Sequence, residues 1–242
     1  MRRELSSIRA LLRARELDRV LQGLELLRSL QDPGAWREML DGVHYSGRFE
    51  DGAEPAGFLG PLRGPNALYA ITHVLAHAQP DWGQKVRRLD LGPRDGPISV
   101  LGLSHLPGLE QLHVHQGGPF LELEGVLPAL HSVVLERPVE LDSLAWLLRA
   151  PRLRRLELRH APGLDLGLAL TVEELVLEDW SLRELGPLRA MRHLKRLELH
   201  TPAVLGVEPL LELSLEELRV GRAGLDCTAL EAQGVRVLRT VR

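Results

Sequence analysis

The segment LRRLELRH, residues 153–160, decides the fold of this chain because its apolar pattern recurs on both sides of it. Leu153, Leu156 and Leu158 occupy its first, fourth and sixth positions. The same three positions are apolar in LKRLELH (194–200) and in LEELRVG (215–221). Alternate residues of a strand point to the same face, so each copy predicts a short strand with its fourth and sixth side chains buried.

Looser copies extend this pattern into an array. The repeats begin at residues 86, 109, 130, 153, 172, 194, 215 and 235, and the last of them (Val235-Leu238-Thr240) is the weakest. Successive starts lie 19 to 23 residues apart. A repeat of this length predicts a solenoid, in which each coil contributes one strand and neighbouring coils share a core.

The array resembles the leucine-rich repeat family, whose LxxLxL core matches about residues 85–242. The Asn or Cys that the family usually carries three residues after the last core position is missing, and the only Asn is Asn66, outside the array. The backbone of those turns therefore needs main-chain or water partners. The resemblance implies an irregular α/β leucine-rich repeat solenoid with a curved parallel sheet of about eight strands.

Residues 1–84 are predicted to form a helical N-terminal capping region, and residues 85–242 the array. Helical periodicity runs from residue 4 to about residue 30, with a break near residues 13–15, and again from Pro65 to Ala78. Between them we expect a short helix over 36–40, a strand near Tyr45, and a loop over 47–64. Because the first coil of a solenoid exposes apolar core, a cap is the favoured role, and a separate binding domain is the alternative.

Composition narrows the partners and the compartment. The net charge of −3 lacks the basic footprint typical of nucleic-acid binding, and no stretch has the length of a membrane span. The N-terminus lacks the apolar run of a secretory signal. The single cysteine, Cys227, fits a reducing compartment and is predicted to be a small core residue. We expect a cytoplasmic protein, and a high arginine content with only Lys85 and Lys195 as lysines indicates a bacterial origin.

The outward positions of the strands form columns across the predicted sheet. From Arg154 onward the second position alternates in charge sign, and from Arg155 onward so does the third. Opposite charges on adjacent strands attract, which favours register and solubility and leaves little net potential for a charged ligand. The fifth position breaks this pattern, with two valines, Val134 and Val176, predicted to be exposed on either side of Glu157.

We predict that a protein partner binds this face and its rim. Trp180, just past a strand, is weighed as an interface anchor against a core residue, whereas Trp146 is predicted to be buried. The predicted protein-binding residues are His113, His115, Val134, Glu157, Arg159, Val176, Trp180, Glu198 and Arg219.

Candidate catalytic and metal-binding groups are weak in the sequence. His73 and His77 share one helical turn but lack a third ligand, so exposed polar positions are the simpler interpretation. Asp90, His113 and Ser132 suggest a hydrolase triad, but no oxyanion hole is evident and an open sheet does not exclude water. His113 and His115 could instead form a pH-sensitive contact. We predict no catalytic residues, no cofactor and no metal.

The C-terminal edge supplies the second functional alternative. Arg236, Arg239 and Arg242 form a basic cluster on the last strand, where charge usually discourages aggregation. The same cluster could bind an acidic partner or allow self-association. The favoured function is a non-catalytic intracellular protein-interaction module, with a structural or self-assembling protein as the first alternative and a hydrolase as the second.

Overall fold

The apolar fourth and sixth positions of the repeats lie on one buried face of parallel strands in the computed structural model. The structure describes residues 2–40, 44–46, 57–59, 67–78, 81–91, 101–115, 125–137, 141–160, 170–178, 184–200, 206–221 and 225–240. The chain divides into two compact units, Met1–Ala129 and Leu130–Arg242. Within the described ranges the first unit holds four of the five α-helices and two repeat strands, and the second unit holds six repeat strands. The predicted boundary between a cap and an array, at residues 84 and 85, stays a prediction.

Among its described residues the first unit contains four α-helices: α1 (Arg2–Leu12), α2 (Leu17–Ser29), α3 (Pro33–Met39) and α4 (Ala67–Ala78). The predicted break between the first two helices is confirmed. α3 begins three residues earlier than predicted, because Pro33 fits a first helical position and the Asp32 carboxylate accepts a hydrogen bond from the Gly34 amide at 2.8 Å. The helices pack around a shared core. Its buried members are Leu5, Ile8, Leu12, Val20, Leu24, Leu27, Ala35, Trp36, Met39, Ala70, Ile71 and Val74.

A short antiparallel hairpin joins β1 (His44–Ser46) to β2 (Gly57–Leu59), with Tyr45 opposite Phe58. The strand predicted near Tyr45 is confirmed, but the loop predicted over residues 47–64 is wrong at β2. Three residues carry no readable alternation, and only pairing with β1 makes this segment a strand. The rest of that predicted loop lies outside the described residues.

The first unit also contains two parallel repeat strands, β3 (Arg88–Leu91) and β4 (Gln111–Val114), with Leu89 opposite Leu112. Short 3₁₀ segments, Trp82–Gln84 and Leu101–His105, lead into successive coils. The backbones of these coils approach so closely that a Cβ on Gly83 would lie 2.3 Å from the His105 carbonyl oxygen. A Cβ on Gly108 would lie equally close to the Gln84 carbonyl oxygen.

The six strands of the second unit pair in parallel and in chain order, as in a solenoid. Leu156 lies opposite Val133 on one side and Leu175 on the other, so fourth positions stack on fourth positions. The strands are β5 (Ser132–Glu136), β6 (Arg155–Arg159), β7 (Glu174–Glu178), β8 (Arg196–Leu199), β9 (Glu217–Gly221) and β10 (Arg236–Thr240). The return segments with regular structure are the 3₁₀ helices Leu141–Arg149, Gly186–Ala190 and Glu208–Glu212, and helix α5 (Thr228–Ala232). Within the described residues the two units together contain the eight predicted repeat strands, so an α/β fold with stacked parallel strands is confirmed.

A main-chain pattern marks the entry to the repeat strands. The His131 carbonyl accepts hydrogen bonds from the amides of Arg154 and Arg155 in the next coil, at 2.9 and 3.0 Å. The equivalent carbonyls of Arg87, Arg154, Glu173 and Lys195 each accept two amides in the same way. The backbone amides at the start of these strands therefore have main-chain partners and need no side-chain acceptor. The turns that would carry the Asn of the leucine-rich repeat pattern, three residues after the last core position, lie outside the described residues.

The register of the last repeat differs from the prediction by one residue. Val237, not Leu238, lies opposite the fourth-position Leu218, and Leu238 lies opposite Arg219 on the outward face. The cause is the approach to the strand: Gly234 adopts a left-handed φ of 88°, and the Val235 amide donates to the Leu230 carbonyl at the end of α5. The helix end therefore determines the phase of β10.

Candidate functional site

Ion pairs between neighbouring strands cover the outward face of the second unit. Glu173 accepts from Arg154 at 2.6 Å and from Lys195 at 3.3 Å, and Arg155 donates to Glu174 at 2.5 Å. These pairs join the second positions and the third positions of adjacent coils, so the predicted charge alternation is confirmed there. Because most of these side chains are exposed, each pair adds on the order of 0.2 to 1 kcal/mol to stability.

Two carboxylates of this face are buried. Glu157 is 8% exposed and accepts a hydrogen bond from the Arg159 Nε at 2.6 Å, with an Arg155 nitrogen at 3.5 Å. Glu217 is 6% exposed and contacts two guanidinium groups, Arg219 at 2.6 Å and Arg236. Each buried charge is therefore paired, as its removal from water requires.

The exposed valines predicted beside Glu157 are not found. Val176 is 7% exposed and Val134 is half-buried. Val176 lies in register between Glu157 and Glu198 on the adjacent strands. A short side chain between longer neighbours on both sides loses its contact with water, and alternation along a single strand does not reveal this.

The remaining predicted binding residues of the second unit are occupied by local contacts. His200 lies 2.6 Å from Glu198, and Arg219 lies 3.9 Å from Glu198. Arg159 lies 4.0 Å from Glu178 in addition to its bond with Glu157. Trp180 falls outside the described residues. A cavity of about 160 Å³ opens on this face, which is below the 300 to 1,000 Å³ typical of small-molecule sites.

A larger groove of about 430 Å³ lies at the strand entries of the second unit, and the sequence analysis did not single it out. It follows the residues that precede the first core position of four successive repeats, with the second-position residues beside them. Its lining residues are Pro151, Arg152, Leu153, Arg154, Thr171, Glu173, Arg192, His193, Lys195 and Ser214.

This groove, named the entry groove below, carries an excess of positive charge. Among its described lining residues, four cationic side chains face one carboxylate, Glu173, which leaves an excess of three positive charges. Arg154 and Lys195 share that carboxylate. Arg152 and Arg192 are exposed and make no ion pair within the part of the chain that the structure describes. The sequence did contain a signal of this groove. The residue before the first core position of a repeat is basic in two of the four coils, at Arg152 and His193.

In the first unit, β3 and β4 bring together Asp90, His113 and His115. Asp90 lies opposite His113, and His115 follows two residues later, so all three project from the same face. The Asp90 carboxylate lies 3.3 Å from the His113 Nδ1 and 2.9 Å from the His115 Nε2. The two imidazole rings are 3.9 Å apart between centroids. The hydrolase alternative also requires Ser132, which belongs to the second unit.

A second histidine group lies where α4 packs on the 101–105 segment. His73 is half-buried, not an exposed polar residue as predicted, because it packs among the rings of Tyr69, His77 and His105. Burial, followed by the nearby His105, His77 and Arg28, lowers the pKa of His73 to about 4. Burial also lowers the pKa of His105. His73 is therefore neutral at pH 7 and has a packing role.

Two other predictions concern the core. Trp146 is 4% exposed and Cys227 is fully buried, as predicted. Burial raises the pKa of the Cys227 thiol, so the reactive thiolate is disfavoured. Cys227 is thus a core residue of the second unit.

Comparison with known proteins does not assign the chain to a family. No protein-family model matches the chain, and no curated protein matches it. Within the described residues, no helix is both long enough and apolar enough to cross a membrane.

Proposed function

We propose that the chain is a non-catalytic leucine-rich repeat binding module whose entry groove binds an acidic segment of a partner protein. The observation that carries the proposal is the unbalanced charge of this groove, in which Arg152 and Arg192 are exposed and pair with no carboxylate among the described residues. The repeat spacing and the stacked parallel strands support the family resemblance. Fold alone does not determine the ligand, so the charge of the groove is the feature that indicates it.

The size and shape of the surface favour a polypeptide ligand. The groove is open and extends over several coils, which suits an extended chain that contacts each coil in turn. The neighbouring outward face has its charges already paired, so it offers little net potential to a ligand. Charge complementarity of this kind mainly increases the association rate and the specificity, and it weakens with added salt.

The cytoplasm is the proposed compartment. The single Cys227 is a buried core residue, so no described feature depends on an oxidising environment. An acidic protein segment is preferred over nucleic acid as the ligand because the whole chain carries a net charge of −3.

The test is fluorescence anisotropy with a labelled glutamate- and aspartate-rich peptide and the full chain. We expect the double variant R152E/R192E to weaken binding by about tenfold or more, since two attractive contacts become repulsive. Arg149→Glu is the control, because it makes the same kind of charge change on the 141–149 segment, outside the groove. Binding should also weaken as the salt concentration rises.

Two results would overturn the proposal. A loss of binding free energy in the Arg149→Glu control that reaches half of the loss in the double variant would show an effect of net charge alone, since the control carries half of the charge change. Equal or tighter binding of a DNA oligonucleotide of matched length and charge would show that the groove has no preference for a polypeptide.

A further inference from the structure

We propose that Asp90, His113 and His115 form a binding site for a divalent first-row transition-metal ion, such as Zn²⁺. This site belongs to the first unit, so it does not depend on the proposed function of the entry groove. The sequence predicted no metal, and the metal-ligand pair weighed there was His73 and His77.

The geometry of the donor atoms supports the proposal. One ligand atom from each residue lies within 4.8 Å of the other two. Two ligands bound to zinc at about 2.05 Å with tetrahedral angles lie about 3.3 Å apart. The distances from the Asp90 carboxylate to the two imidazole nitrogens, 3.3 and 2.9 Å, are close to that spacing. Small side-chain rotations would therefore bring the three donors around one ion.

The backbone holds these donors in place. Asp90 and His113 are register partners on adjacent parallel strands, and the His115 amide donates to the Leu91 carbonyl at 2.9 Å. Asp90 and His113 thus lie on a hydrogen-bonded pair of strands, and His115 follows directly after β4, where its amide bond to Leu91 ties it to β3. Their side chains are only partly accessible, with Asp90 at 9%, His113 at 22% and His115 at 32% exposure. A site on rigid elements loses little conformational entropy when it binds.

The chemistry of the donors selects the class of ion. Imidazole nitrogen suits Zn²⁺, Cu²⁺, Fe²⁺ and Ni²⁺, whereas Ca²⁺ and Mg²⁺ prefer oxygen ligands. Two histidines and one carboxylate are a ligand set known for zinc and for non-haem iron, and three protein ligands leave a further coordination position open. Within the described residues, this is the one group of three such side chains with this convergence.

The test is zinc binding by the metal-free full chain, measured by isothermal titration calorimetry, with Co²⁺ absorption as a spectroscopic probe of histidine ligation. We expect one ion per chain, and a loss of about 100-fold or more in affinity in His113→Ala and in Asp90→Asn. Zn²⁺ should raise the Tm of the wild type but not of these variants, because only a site formed in the native state stabilises it.

His200→Ala is the matched control. His200 also lies beside a carboxylate two residues away on one strand, Glu198 at 2.6 Å, but no third ligand joins that pair within the described residues. Its loss should leave zinc affinity unchanged. A further variant, His115→Asn, changes the most exposed of the three ligands and is the least disruptive to packing.

The proposal fails if the wild type binds no stoichiometric Zn²⁺ or Co²⁺. It also fails if the folded His115→Asn protein binds with wild-type affinity, or if His200→Ala weakens binding as much as the ligand variants. In each of these cases Asp90 would serve only as a hydrogen-bond partner of the two histidines.

Discussion

Glu217 illustrates how a single residue of the repeat face depends on its neighbours. Its carboxylate is 7% exposed and lies between Arg219 and Arg236. We expect Glu217→Gln to lower the free energy of unfolding by about 1 to 2 kcal/mol, because a neutral amide cannot hold both cations. Urea unfolding measures the change. Glu216→Gln, at the adjacent exposed position, should have almost no effect, and an equal effect at both sites would contradict the role of burial.

A core leucine provides the corresponding test inside the sheet. Leu156 is fully buried between Val133 and Leu175. Leu156→Ala should lower the free energy of unfolding by about 2 to 5 kcal/mol through lost burial and the cavity left behind. Leu148→Ala removes the same atoms from a side chain that is 52% exposed, so its unfolding midpoint should stay close to that of the wild type. Similar losses in the two variants would show that the repeats do not share a core as described.

At the scale of elements, glycine allows two coils of the first unit to approach each other. A Cβ on Gly108 would lie 2.3 Å from the Gln84 carbonyl oxygen, a backbone atom that cannot move without its coil. We expect Gly108→Ala to destabilise the chain by about 1 to 3 kcal/mol. Gly186→Ala is the control, since a Cβ at Gly186 meets no atom within 4 Å. Thermal unfolding of the two variants compares them, and equal Tm values would rule out the close approach.

The packing of α4 on the 101–105 segment should respond to pH. The folded-state pKa of His73 is about 4, below its ordinary value of 6.5, so the unfolded chain binds a proton first as the pH falls. Stability is therefore fully present above pH 6.5 and declines toward pH 4. Between about pH 7.5 and pH 5 we expect a loss of about 1 to 2 kcal/mol after allowance for solvent screening. Urea unfolding at several pH values measures it.

Variants without the titrating group separate this effect from other charges. His73→Asn should make the dependence of the unfolding free energy on pH less steep, and the buried His105, whose pKa is also lowered, should keep the remainder. His193→Asn, at an exposed histidine, should keep the wild-type slope. A slope that is unchanged in His73→Asn would assign the dependence to other groups.

At the scale of the whole molecule, we expect the last strand to affect association between copies of the chain. In the second unit β10 is the last strand in the order. Its Arg239 lies opposite the core-facing Val220 and forms an ion pair with Glu231 at 3.1 Å. A charged side chain on an edge strand discourages pairing with a second copy. We expect Arg239→Val to make the mass by light scattering rise with protein concentration. Arg189→Val removes the same charge from a return segment and should not.

That experiment also decides the self-assembly alternative. If the wild type itself associates with increasing concentration and Arg239→Val does not increase the effect, the edge is an interface and not a protected end. The present geometry favours protection, because both Arg236 and Arg239 have carboxylate partners in their own chain.

Particular elements show how far the sequence analysis reached. The LxxLxL spacing predicted the strands around Leu156, Leu197 and Leu218 with the correct inward faces. It failed at β10, where the end of α5 shifts the register by one residue. It also failed at β2, which is too short for a periodic signal. In both cases a contact with another element determined the outcome.

The candidate sites were also predicted only in part from the sequence. Alternating charges predicted the ion pairs of the outward face, because their columns follow directly from repeat spacing. The entry groove and the metal ligand set were not found in advance. Arg152 and Arg192 lie almost two repeats apart in sequence, and the convergence of Asp90, His113 and His115 depends on side-chain directions that spacing does not supply.

Repeat period and alternation are properties of the chain itself, so the sequence alone determined the parallel strands, their order and most of the buried leucines. Tertiary structure decided the burial of Val176 and Glu217, the register of β10, the close approach at Gly108 and the two candidate binding sites. The physical reason is that burial and charge balance are sums over neighbours from different coils. A local pattern identifies which face a residue occupies, but only packing shows which other residues it meets there.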